Sequence, residues 1–148
     1  MLVARETLTL LFETDYYSIQ FDAALQAVLL TYKRKGSSDE FRELHYKLLE
    51  AFDKVAASKI LVETQEMAIV APEDQRWVGQ FIIPQIAKKT ENQFLYAAVV
   101  APKGIFTKLA VDTVEEISMG TGTCINKSFD NTAEARMWLS EQKPVDFS

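Results

Sequence analysis

The chain holds a single histidine, His45, and a single cysteine, Cys124. One imidazole excludes a His-rich metal site and any dyad that needs two imidazoles. His45 stands four residues from both Phe41 and Leu49. That spacing puts it at the border of an apolar helical stripe and predicts a half-buried packing residue rather than a base. Cys124 begins a predicted strand, where a buried, inert thiol is expected. Glu63, Glu66, Glu73 and Asp74 crowd near the C-terminal end of a predicted central strand, where open α/β sheets bind ligands. Glu73 and Asp74 follow Pro72 and suit the positive end of a helix dipole. No spacing in the set matches a calcium loop, so the four acids are expected to be solvated. Gly120-Thr121-Gly122 has the glycines of a phosphate loop but is predicted to follow a helix and precede a strand, whereas a phosphate cradle opens a helix. No nucleophile with an adjacent base, no metal spacing and no phosphate loop emerges, so the residues point away from catalysis and imply no cofactor.

The elements that must position these groups follow from hydrophobic period. Leu8, Leu10 and Phe12, then Tyr17, Ile19 and Phe21, then Leu25, Ala27 and Leu29 alternate with more polar neighbours, which predicts three strands. Asp22-Ala23-Ala24 is short enough to join the last two as an antiparallel hairpin. After Gly36 the period becomes helical, through Phe41, Leu44, Leu48, Leu49, Phe52 and Val55, with Ser37 and Glu40 as a capping box. The remainder alternates: strand 59–64, helix 72–89, strand 94–101, helix 104–119, strand 123–127, helix 132–141. The expected fold class is therefore α/β, a mixed sheet of five to six strands whose antiparallel opening is followed by parallel crossovers, flanked by four helices. Pro72, Gly120 and the Asn131/Glu134 pair mark helix ends. Pro84, inside the second helix, predicts a kink or break near Ile83. With no linker or repeat, residues 1–148 are expected to form one domain.

Composition narrows the partners. Apolar residues make up 48% and charged residues 25% of 148, which is enough to bury roughly 70% of the unfolded surface. The net charge of −5 opposes phosphate backbones and anionic lipid, so no nucleic acid is expected. The basic run Lys33-Arg34-Lys35 leads into Gly36 and is expected as a solvated turn. A lone cysteine, no signal-peptide pattern at the first residues and no apolar run longer than the eight residues 94–101 lead to the expectation of a cytoplasmic protein without membrane insertion.

The largest anomaly is apolar width. Trp77, Val78, Phe81, Ile82, Ile83 and Ile86 cover roughly two thirds of a helical wheel at about 100° per residue. Ile105, Phe106, Leu109, Ala110, Val111, Val114 and Ile117 do likewise. A sheet needs less, so helices 72–89 and 104–119 either pack on each other or offer apolar surface. The candidate surface comprises Trp77, Phe81, Ile83, Ile86, Phe106, Leu109 and Val111. Few polar groups stand near these arcs, which favours a homodimer contact over an apolar-ligand cavity.

The element order and several local strings resemble the SpoIIAA-like branch of the STAS domains, the sulfate-transporter and anti-sigma-factor-antagonist fold, over nearly the whole chain. The supporting residues are the hairpin 16–32, the helix start Ser38-Asp39-Glu40-Phe41, the strand Ile60-Leu61-Val62-Glu63, the segment 71–77 and the ending 129–139. The resemblance implies a non-catalytic binding module. Such a module acts on a regulatory protein partner or, in lipid-carrier relatives of the fold, on an apolar small molecule. Antagonist members carry a phosphorylatable serine or threonine in the loop entering the next helix, yet residues 65–76 contain neither. Phosphorylation needs a hydroxyl. Phosphopeptide mapping from the native host is therefore expected to find no stoichiometric modification at Thr64, the nearest candidate.

Overall fold

The computed structural model describes residues 8–68, 70–90, 93–100, 122 and 124–142. They build a six-stranded mixed sheet in the order β1-β2-β3-β4-β5-β6. Strands β1 (Leu8–Glu13), β2 (Tyr17–Asp22) and β3 (Ala27–Tyr32) are antiparallel neighbours; β4 (Lys59–Glu63), β5 (Leu95–Val100) and β6 (Cys124–Phe129) extend the sheet in parallel. The expected α/β class with an antiparallel opening is the one observed. Helix α1 (Ser38–Lys54) links β3 to β4. A second helical passage, α2 (Pro72–Trp77), a π turn (Val78–Ile82) and α3 (Ile83–Lys88), links β4 to β5, and α4 (Thr132–Glu141) follows β6. The predicted helix 104–119, with Phe106, Leu109 and Val111, lies outside the described residues.

Period-two alternation gives the sheet two cores. Ile19, Val28, Leu30, Ile60, Ala97 and Val99 face α1 and the second helical passage, while Ala27, Leu61, Tyr96, Ala98 and Val100 face α4. All six residues of β5 are buried, which explains why its sequence is an unbroken apolar run rather than an alternating one.

Helix α4 brings few apolar side chains to its face, chiefly Ala135 and Leu139, and is fastened by polar contacts. Asn131 caps its first turn by accepting from the Glu134 N–H at 2.9 Å. Thr132 donates to Glu63 of β4, and Lys59, itself buried, donates to the Leu139 carbonyl at 2.6 Å. Arg136 pairs with Asp22 at 2.6 Å.

Four expectations need correction. The first strand does not keep one face: a register shift between Leu10 and Phe12 turns Leu8 and Leu10 toward the α4 side and Phe12 toward α1. β3 starts at Ala27 rather than Leu25 because the turn is longer. Asp22 Oδ1 accepts from the N–H groups of Ala24 and Leu25, and Gln26 takes φ 57°. β6 runs Cys124–Phe129 rather than 123–127. Pro84 does not break its helix. The Ile83 N–H reaches the Val78 carbonyl five residues back, and the widened turn accommodates a ring that would otherwise crowd the carbonyl of Gln80.

Asp22 is 1% exposed, so removing its cation leaves a buried carboxylate with only the turn N–H groups. Arg136→Ala is expected to cost about 2 kcal/mol, less than a fully buried pair because the guanidinium reaches solvent. Lys33→Ala, which breaks the exposed pair with Glu13, should cost under about 0.5 kcal/mol. Urea midpoints at constant m test both.

Candidate binding face

The helical spacing of α1 puts Ser38, Arg42 and Tyr46 on one border of its apolar stripe, and that border meets α2. The Ser37 hydroxyl accepts from the Glu40 N–H at 3.2 Å, and the Glu40 carboxylate accepts from the Ser37 N–H at 3.0 Å, so the expected capping box forms. Its geometry aims Ser38 across to α2, where its hydroxyl donates to Asp74 Oδ2 at 2.5 Å. Arg42 Nε donates to Asp74 Oδ1 at 2.7 Å. Asp74 is 2% exposed: it is a paired carboxylate joining two helix starts, not the solvated acid expected from its place in a first turn. Gly36, just before the box, lies so close to Tyr16 that any Cβ would collide with the phenol ring.

Arg42 also lies over the indole of Trp77, 4.8 Å from the ring centre. Trp77 in turn meets Tyr46 edge-on at 5.5 Å and His45 at 5.9 Å. Phe81, one turn beyond Trp77 on the same side, is exposed. The outer surface thus carries Tyr46, Trp77, Arg42 and Phe81 in a row. Beside it, toward the C-terminal ends of β3 and β4, a cleft of about 100 Å³ is lined by Tyr16, Ser37, Ser38, Phe41, Met67 and Asp74 among others.

His45 is buried rather than half-buried, because Trp77 closes over a ring already resting on Phe41 at 4.4 Å. Its Nδ1 engages the Phe41 carbonyl at 2.8 Å, so the imidazole is tied to its own helix and is not bonded to Ser38. Burial holds its pKa down at about 4. Cys124 is a buried strand residue, as expected. Of the carboxylates, Glu63 lies under the start of α4, away from Asp74, with one oxygen bonded to Thr132 and the other buried without a partner. Among the described residues no group of three or more His, Cys, Asp or Glu side chains is placed to hold a metal ion. No helix among them is long and apolar enough to cross a membrane.

The predicted surface on helix 72–89 divides. Ile86 is 0% exposed and belongs to the core with Val78 and Ile82, so it is not a surface residue; those three, four apart, form the inward stripe. Ile83 and Trp77 are half-buried against that core. Phe81 alone of the four is exposed. Tyr46 and Arg42 were absent from the sequence reading; their four-residue spacing from Ser38 was the available signal.

His45 gives the face a pH signature. Its folded pKa lies below the ordinary 6.5, so between these values the unfolded chain binds a proton that the native chain refuses. Stability is expected to fall as pH drops through that window, by about 3 kcal/mol once complete. Urea midpoints at pH 7 and pH 4 should show His45→Asn losing most of this acid-side slope, since the carboxylates titrate alike in both chains.

No family model matches the chain, and no curated protein and no solved structure matches it significantly.

Proposed function

We propose that the chain is a non-catalytic binding module of the SpoIIAA-like kind, acting through protein contacts at the Tyr46–Trp77–Phe81 face without a hydroxyl switch in the 65–76 loop. One observation carries this reading: Tyr46 and Phe81 are each 56% exposed on either side of a Trp77 that packs against Arg42. Tryptophan, tyrosine and arginine are the residues that dominate interface energetics, and here a buried core and the Asp74 clamp hold them in place before any partner arrives. Thr64, the hydroxyl nearest the 65–76 loop, is buried and donates to the Val100 carbonyl at 2.6 Å. That bond supports a face that is permanently formed rather than gated by phosphate.

The carrier reading, an apolar molecule held between helices 72–89 and 104–119, draws less support. The cleft of about 100 Å³ carries Asp74 and two serines, and it is smaller than the roughly 300 Å³ at which ligand pockets begin.

Capture of the tagged full chain from its native host, quantified against Phe81→Glu and Tyr46→Glu, tests the proposal. The expected result is a protein partner depleted about tenfold or more by either variant, equivalent to about 1.4 kcal/mol or more, with far-UV dichroism and thermal midpoint retained. The same proteins at equal yield on all three chains would overturn it. So would a stoichiometric apolar molecule that both variants keep.

A further inference from the structure

The two edges of the sheet differ. β6 carries Lys127, exposed at mid-strand, and a charge there blunts an edge against further pairing. β1 has no charge from Leu8 to Phe12, pairs only with β2 among the described strands, and leaves Leu8 39% and Leu10 53% exposed. Half of its N–H and C=O groups point away from β2, and another extended strand satisfies such groups best.

We infer that β1 is a self-association edge, pairing antiparallel with β1 of a second copy about a two-fold axis at Thr9. The register follows from the faces. An axis perpendicular to the sheet keeps α4 on the same side in both copies, and directly opposite residues must then share a face. Centring on Thr9 sets Leu8 of one copy opposite Leu10 of the other, twice, so that four leucines close into one cluster. Self-pairing puts each group against its own kind, so it suits an uncharged strand and penalises β6, where lysines would approach one another. The register shift after Leu10 bends the strand away and ends the contact there. A contact of this length falls at the small end of specific interfaces, which makes a dimer that forms at about 100 µM rather than a permanent one. The inference stands apart from the proposed function. If both hold, the two Tyr46–Trp77–Phe81 faces lie on one side of a continuous sheet, making the module bivalent.

Two measurements on the full chain test it. Light scattering coupled to gel filtration at about 100 µM should give twice the chain mass for the natural sequence and the single mass for Leu10→Lys, with dichroism unchanged. Thr9→Cys in a Cys124→Ala background should form a disulfide-linked dimer under mild oxidation, because the two β-carbons meet across the axis at about 5 Å. Lys127→Cys in the same background, exposed on the other edge, should remain monomeric. A monomeric natural chain, a dimer indifferent to Leu10→Lys, or equal cross-linking at positions 9 and 127 would overturn the inference.

Discussion

Burial of β5 on both faces sets the demands on everything around it. A strand whose six side chains are all shielded needs a complete layer above and below, and the chain supplies these layers unequally. α1 and the passage from α2 to α3 form a broad apolar layer on one side, while α4 stands on the other with Ala135 and Leu139 as its inward residues. Polar fastenings compensate for the thin side. Asp22, Lys59 and Glu63 come from three positions on the sheet and reach the middle, end and start of α4 respectively. The buried polar groups of the α4 layer are thus the means by which a short helix is held in one orientation.

The same logic, at the opposite sheet face, turns a carboxylate into an anchor. Asp74 accepts from Ser38 and Arg42, fixing the start of α2 against the start of α1. Trp77 follows within the same turn, so the clamp also fixes the indole on which Arg42, Tyr46 and His45 rest. An exposed aromatic row on such a support loses little conformational freedom when it is covered, and that is the property a binding surface needs.

The legible parts of the sequence were those decided locally. The Ser37/Glu40 box, the Asn131 cap, the uniform run of β5 and the helical stripe of α1 all follow from neighbours within a few residues. The illegible parts depended on contacts across the chain. Asp74 has a sufficient local explanation in the helix dipole, and only the approach of Ser38, 36 positions away, makes it a buried clamp. His45 reads as a border residue because the border is later closed by Trp77. The shift after Leu10 hides in Leu-Thr-Leu-Leu-Phe, where an apolar residue is available for either face and alternation cannot register a slip. The wide apolar arc of helix 72–89 was real, yet it divides into a core stripe through Val78, Ile82 and Ile86 and an outward Phe81. The wheel alone overestimated the surface.

The π turn at Val78–Ile82 has a bearing on which insertions and deletions the chain tolerates. A turn closed by five residues instead of about 3.6 behaves as an α-helix carrying one supernumerary residue. Losing one residue between 78 and 82 would restore regular winding but swing everything downstream by about 100°, taking Ile86 out of the core while Trp77 stayed where it is. Length in this stretch is therefore under tighter constraint than side-chain identity. Descendants of this chain should vary the residues at exposed positions 80 and 81 far more readily than their number.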